Sequence, residues 1–535
     1  MAAIKKLHVL SRNPDQYMRE TNQDIHKFQR NYDPDLHPMQ VAREYKLALN
    51  ATKLERVFAK PFVGALVHGE SVSAMARHPE ILSCIFSGTY EGQLNLWNTR
   101  TRKQLWQVQA HNGHIWSIST DCLGETLYTV GHDKTIKRWS YENISQACDE
   151  TDVFKGAGAA NHLSEPIDTW LCDTVISGLS HHRYNQEFLT CGERVLLWDS
   201  SKKVPIRSFD WNSQGSGQSN CSAVAIKFNM IEDKLFAACD ADNHLVLYDI
   251  RAKDVKKLKM KIRLNDLCWN PMEAFVLTAA SEDYNAYTFD IRMMDKAERI
   301  ICQHQGHTSA ITCLDYAPTG REFVTGSFDK TIRIFVTEEG RSRDLYHGKR
   351  MHKVTSVMWS SDNKFVYSGS ADHNVRIWKS RASEKLGIMS HREKLALDYS
   401  NELKTKFQHM PEIKRIARHR HLPRAIIAAS KEHYRIRKSH ATKEANTRLH
   451  SKDGVDRTEG KLVKPVFGLQ DEAQQDPERE EKDIKKLEKF AAKVMKKKKM
   501  AQEKRHSEEK MKDRTDSKFG RKKFNKKKGG AKRLA

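Results

Sequence analysis

Asp133-Lys134-Thr135-Ile136-Lys137-Arg138-Trp139 decides the fold, because the chain repeats it. The stretch returns as Asp329-Lys330-Thr331-Ile332-Arg333-Ile334-Phe335 and as Asp372-His373-Asn374-Val375-Arg376-Ile377-Trp378. Weaker copies end at Trp97, at Trp198-Asp199, at Tyr248-Asp249 and at Phe289-Asp290. These seven aromatic markers lie 42, 59, 50, 41, 46 and 43 residues apart. Gly113-His114 and Gly306-His307 open two of the units.

A period of about 40–45 residues with this ending is the WD40 signature, one four-stranded blade per unit. The two long intervals fit blades with longer loops, around residues 142–165 and 210–220. The Asp caps a tight turn between two strands, alternating apolar residues fill the space between blades, and the aromatic closes the strand's inner face. Seven markers in register predict an all-β fold, a seven-bladed WD40 β-propeller, followed by an α-helical basic C-terminal extension. The ring must close or leave an open strand edge. Phe62-Val63-Gly64-Ala65-Leu66-Val67 reads as a strand and is expected to complete the seventh blade from the N-terminal side, with residues 386–389 as the competing segment.

Working outward, the charge is unevenly placed. The chain carries a net +24, and residues 381–535 hold +22 of it. A near-neutral platform with a cationic end suits a polyanionic partner. No run of about 18 apolar residues occurs, so no membrane span is expected. The first ten residues lack the apolar segment of a secretory signal. Ten cysteines occur without a C-x-x-C pair, as buried reduced thiols in strands would. A reducing compartment, cytosol or nucleus, follows.

Four regions are predicted: an N-terminal extension over 1–55, the propeller over 56–380, a helical basic domain over 381–455 and a Lys-rich low-complexity tail over 456–535. The first is polar with a helical pattern near residues 39–52, and either wraps a partner or the propeller, or is disordered. Ser390-His391-Arg392-Glu393 is a capping box opening a helix. Its stripe of Leu395, Tyr399, Leu403 and Phe407 is expected to pack on the propeller rather than form a groove. Pro411 ends that helix.

Lys414, Arg415, Arg418 and His421 fall at helical spacing and predict one cationic face; Arg420 lies among them. After Pro423, Arg424 through His450 reads as a helix carrying Arg435, Arg437 and Lys438. Such faces suit phosphate, which arginine holds with two donors. A solvated, salt-bridged face is the competing reading. Residues 381–450 hold +10 and residues 451–535 hold +12. Lys496, Lys497, Lys498 and Lys499, and the run opening with Arg521, Lys522 and Lys523, read as nuclear import signals with nonspecific RNA affinity, or as a solubilising tail.

No catalytic constellation is legible. There is no P-loop, and Gly215-Ser216-Gly217 falls in an inter-blade loop rather than between strand and helix. His419, His421 and His433 lack a Cys or carboxylate at ligand spacing, so no metal and no cofactor is expected. A propeller of this kind presents surfaces to macromolecules rather than to a small-molecule substrate.

Three further stretches carry a resemblance. They are Asp35-Leu36-His37-Pro38 with Ala48 through Phe62; Trp269-Asn270-Pro271-Met272-Glu273-Ala274-Phe275; and Phe407-Gln408-His409 with Ile413 through Pro423. Together they resemble the WD-repeat and SOF-domain proteins over about residues 31–450. The resemblance implies a nucleolar component of the small-subunit processome, whose partners are pre-rRNA, the U3 small nucleolar RNA and other processome proteins. Metazoan members are also named as substrate receptors of cullin-four ubiquitin ligases, through an aromatic-Asp-x-Arg blade ending. Here Tyr248-Asp249-Ile250-Arg251 and Phe289-Asp290-Ile291-Arg292 match it, with Tyr and Phe in place of Trp. Three readings stand: a ribosome-assembly scaffold, a ligase adaptor, and a nuclear propeller that binds peptides on its top face.

Overall fold

The computed structural model describes residues 39–141, 165–209, 222–251, 255–294, 300–450 and 466–469. The import-signal lysines, Gly215-Ser216-Gly217 and most of the two longer inter-blade loops lie outside them.

Seven antiparallel sheets form the propeller. Blades 1 to 6 occupy residues 72–109, 115–171, 178–209, 223–260, 264–304 and 311–347, each running from inner to outer strand in chain order. Blade 7 takes its three inner strands from residues 354–379 and its outer strand from Phe62–Val67, which hydrogen-bonds to Asn374–Lys379. The N-terminal strand therefore closes the ring, as its apolar run predicts, and gives blade 7 its fourth strand. Blade 4 gains a fifth strand, Val466–Leu469, paired antiparallel to Val255–Met260.

The motif's residues have separate physical jobs. In six blades the residue at the turn between second and third strands takes a left-handed φ: Gly92, Lys134, Asn243, Tyr284, Lys330 and His373. That conformation costs an L-residue about 1–2 kcal/mol. The preceding Asp offsets it by holding the turn. Asp133 Oδ1 accepts from Thr135 N at 3.2 Å and Thr135 Oγ1 at 2.7 Å. Asp329 Oδ1 does the same with Thr331 N at 2.9 Å and Oγ1 at 2.6 Å.

The terminal Trp is fixed from inside. Trp97, Trp139, Trp198 and Trp378 each donate the indole N–H to Ser87, Thr129, Thr190 and Ser368 on the neighbouring strand, at 2.8–3.1 Å. The apolar clusters straddle adjacent blades. One joins Leu245 and Leu258 of blade 4 to Leu267, Trp269, Leu277 and Phe289 of blade 5. Another joins Phe86 and Leu96 of blade 1 to Ile115, Leu127 and Trp139 of blade 2. Seven described cysteines are free thiols, while Cys84 departs from the all-reduced expectation and stands in a disulfide.

The described helices are α1 (Gln40–Val57), α2 (His391–Lys406), α3 (Pro411–Arg418) and α4 (Arg424–His450). The chain divides into two compact units, and α1, α2 and α3 belong to the first. Ser390 and Glu393 form the predicted capping box on α2. The α2 stripe packs on α1: Leu403, Phe407, Ile413 and Ala48 are buried together, with Tyr45, Leu49 and Tyr399 half-buried beside them. Leu395 falls outside this cluster and is 48% exposed. Lys404 to Glu55 at 2.9 Å and Lys406 to Glu44 at 2.7 Å tie α2 to α1, and Tyr45 donates to Glu412 at 2.9 Å.

Candidate macromolecular interface

α4 belongs to the propeller's compact unit. His433 anchors it: Nε2 lies 3.1 Å from the carbonyl of Thr308 in the loop opening blade 6. Its ring meets the Tyr284 ring of the blade 5 turn edge-on, with centroids 5.1 Å apart. Ile426 is buried on the same side of the helix. His433 is thus an anchor, and among the described residues no three His, Cys, Asp or Glu are grouped to hold a metal ion.

Counting about 3.6 residues per turn from His433, Arg424, Lys431, Arg435 and Lys438 fall on the far side of α4. All four are exposed. Arg437 is also exposed but falls on the flank, nearer the anchored side. Lys431 and the exposed Tyr434 were absent from the sequence reading; the helical period from His433 would have found both.

The predicted face at 414–421 is shorter than its spacing implies. α3 ends at Arg418, and His419 is already extended, with ψ of 129°. His421 therefore leaves the face, because the helix has ended three residues before it. Lys414, Arg415 and Arg418 remain on α3 and are exposed. Arg420 is half-buried, and its guanidinium donates to the carbonyls of Ala417 at 2.7 Å and His419 at 3.2 Å. Those bonds close the C-terminal end of α3, whose last carbonyls otherwise lack helical donors.

The two aromatic-Asp-x-Arg endings divide into an inner and an outer half. Tyr248 and Phe289 are buried in the blades, Tyr248 stacked on Phe236 at 4.9 Å. They do not reach a surface where a partner touches them. Arg251 and Arg292 do, with side chains 68% and 64% exposed. Asp249 Oδ1 accepts from Arg251 N at 2.9 Å. Asp290 accepts from Arg292 N at 3.0 Å and from its guanidinium at 3.2 and 3.1 Å, and that guanidinium lies 4.6 Å from the Phe275 ring centroid. Each Asp thus closes its own turn, and the arginines end equivalent strands of neighbouring blades.

Comparison with known proteins agrees with this architecture. The Sof1-like domain model matches residues 380–466, and the WD domain, G-beta repeat model matches residues 102–140, 299–335 and 344–379. DDB1- and CUL4-associated factor 13 of Xenopus tropicalis is 47% identical over 451 residues, covering 84% of this chain and 96% of that protein. The Homo sapiens protein of the same name is 46% identical with the same coverage. Protein SOF1 of Saccharomyces cerevisiae is 37% identical over 467 residues, covering 84% and 92%. The chain belongs to the family of WD-repeat proteins with a Sof1-like domain that these relatives represent.

Proposed function

We propose that this protein is a non-catalytic scaffold of the small-subunit processome, the 90S pre-ribosome. It acts in the nucleolus with the U3 small nucleolar ribonucleoprotein, in 18S pre-rRNA processing and small-subunit assembly. One observation carries the reading: α4 is anchored on the propeller by His433 and turns Arg424, Lys431, Arg435 and Lys438 outward together. A cationic face on a fixed element positions phosphates, whereas a free charged segment only attracts them. Lys414, Arg415 and Arg418 on α3 supply a second phosphate contact. Arg420 serves both to close α3 and to extend that contact, and Arg437 adds to the flank of α4. The lysine runs after residue 456 deliver the chain to the nucleus and grip RNA without sequence preference.

The test is charge reversal. Changing Lys414, Arg415, Arg418, Arg424, Lys431, Arg435 and Lys438 to Glu is expected to abolish crosslinking to pre-ribosomal RNA in cells. Unchanged crosslinks would refute the placement of RNA on these helices. Binding in vitro should weaken with salt, with a log–log slope of about −0.9 per neutralised duplex phosphate.

A second reading, substrate receptor of a cullin-four ubiquitin ligase, is favoured by the exposed Arg251 and Arg292 and by the name of the metazoan relatives, DDB1- and CUL4-associated factor 13. Arg251→Ala with Arg292→Ala should then remove co-purification with the ligase's adaptor subunit. Retained co-purification would sink it.

A further inference from the structure

The inner strands of six blades share a β-bulge at their second residue: Ser73, Trp116, Val224, Asn265, Thr312 and Thr355. In blades 5, 6 and 7 the bulged side chain stitches to the next blade. Asn265 Nδ2 donates to Ile311 O at 2.7 Å, Thr312 Oγ1 to Val354 O at 2.8 Å and Thr355 Oγ1 to Val72 O at 2.6 Å. Ser73 donates to Gly88 O within blade 1. Val224 of blade 4 has no polar group to make such a bond, and blade 2 carries Trp116, whose large ring is 42% exposed. Bulges re-aim side chains and cluster next to functional sites.

Trp116 is not alone. Its ring stands edge-on to His114 at 4.3 Å, and His114 stacks flat on Tyr90 at 4.3 Å and 16°. Tyr90 is itself 41% exposed. The three rings come from adjoining blades and are held in place by backbone. Tyr90 N donates to Ser71 O at 3.1 Å, and the turn rests so closely on His111 O that position 92 admits only glycine, at φ 93°. Burial, with a smaller contribution from His132, lowers the His114 ring to about 4, so it is neutral at physiological pH and does not repel a cation. Glu91 follows Tyr90 in the chain and Glu70 precedes Ser71, whose carbonyl holds Tyr90 N, and neither glutamate enters an ion pair among the described residues.

We propose that Tyr90, His114 and Trp116 form a binding site for an arginine side chain in a basic segment of a partner protein. The exposed Tyr90 and Trp116 rings meet the guanidinium, His114 holds the two rings together, and Glu70 and Glu91 oppose its charge. An acidic-flanked aromatic corner suits a cation and disfavours phosphate, so the site is distinct in chemistry from α3 and α4. It stands whether or not those helices contact RNA.

The experiment titrates the full chain with a labelled Gly-Ser peptide carrying two arginines, and with the same peptide carrying citrulline instead. The arginine peptide is expected to bind at least about tenfold more tightly than the citrulline peptide. Trp116→Thr places at this bulge the residue that blades 6 and 7 already use, so it should fold; Tyr90→Ala is the second variant. Each should weaken arginine-peptide binding about tenfold, and Trp116→Phe should stay within about threefold. Wild-type affinity in a folded Trp116→Thr or Tyr90→Ala chain would overturn the proposal, as would equal binding of the citrulline peptide. Displacement by oligouridylate with the same sensitivity to Trp116→Thr would assign the corner to nucleic acid instead. Binding that appears only after removal of residues 451–535 would assign it to this chain's own tail. Either result would overturn the partner-peptide assignment.

Discussion

Asp329→Ala is the sharpest test of how the repeat holds its blade. The carboxylate is buried and accepts four hydrogen bonds. Oδ1 takes Thr331 N and Oγ1; Oδ2 takes His307 Nδ1 at 2.9 Å and Thr308 N at 3.2 Å. Alanine leaves those donors without an acceptor, and it leaves Lys330 in its left-handed turn with nothing to hold it. A buried donor left unsatisfied costs about 1–3 kcal/mol, and breaking a buried pair about 3–5 kcal/mol. Water can enter an opened turn, so the lower total of about 3–5 kcal/mol is expected. Asp133→Ala in blade 2 removes a more exposed copy of the same carboxylate and should cost less, about 2 kcal/mol.

The dependence on pH follows from the same bonds. Burial opposes the Asp329 charge, but His307, Thr331 and Arg333 overcome it and hold the carboxyl well below its ordinary value. Its stabilisation is therefore present above about 3.8, the ordinary carboxyl value, and is lost as pH falls through the depressed one. Burial lowers His307 as well, so the unfolded chain also gains that proton first as the solution is acidified, and stability falls in the same direction. The gap between wild type and Asp329→Ala should narrow in acid. Urea denaturation gives the total, and amide exchange over residues 305–347 localises it. A loss below about 1 kcal/mol at neutral pH, with no faster exchange in blade 6, would refute the turn as a stabilising element.

Three further outcomes are expected. Leu403→Ala opens the buried contact between α2 and α1 and should cost about 2–4 kcal/mol in that unit, read as lost exchange protection over residues 40–57 and 391–418. His433→Ala should release α4, raising exchange over residues 424–450 while the blade amides keep theirs; unchanged protection would show that Ile426 alone docks the helix. Asp266 is half-buried, and desolvation raises its carboxyl to about 6 despite the charge of Lys227 and bonds from Leu314 N and Leu267 N. The folded chain therefore keeps this proton longer, and stability should fall by about 1 kcal/mol between pH 5 and 7. Asp266→Asn should flatten that slope in denaturation curves, whatever its effect on the baseline.

The parts of this structure that the sequence makes legible are those governed by a local rule. The Asp, the following left-handed residue and the aromatic five positions on lie within one hairpin, so their recurrence announces seven blades even where Asn98, Tyr248 or Phe289 blurs the ending. The apolar run at 62–67 is legible because a ring has one vacancy. Strands His244–Asp249 and Ala286–Asp290 are buried through four consecutive positions, which takes Tyr248 and Phe289 inside with their neighbours. The pairing of α1 with α2 and α3 was not legible, because α1 is apolar on both sides: Tyr45, Ala48 and Leu49 are covered, while Leu47 and Leu54 are exposed. A stripe identifies a packing face and leaves its partner open. His433 was indistinct for the opposite reason, being one histidine among many cations, and only the loop at Thr308 makes it an anchor. Trp116 needs the most context. Its meaning rests on five equivalent positions in other blades, aligned by a register shift that no spacing of apolar residues reveals. Asparagine or threonine stitches neighbouring blades at three of those positions, serine and valine at the other two do not, and blade 2 bonds to blade 3 from the next residue, Ser117 Oγ to Leu179 O at 3.4 Å. What marks the corner as a site rather than as surface is the gathering of two exposed rings, Tyr90 and Trp116, on one imidazole at centroid distances of 4.3 Å.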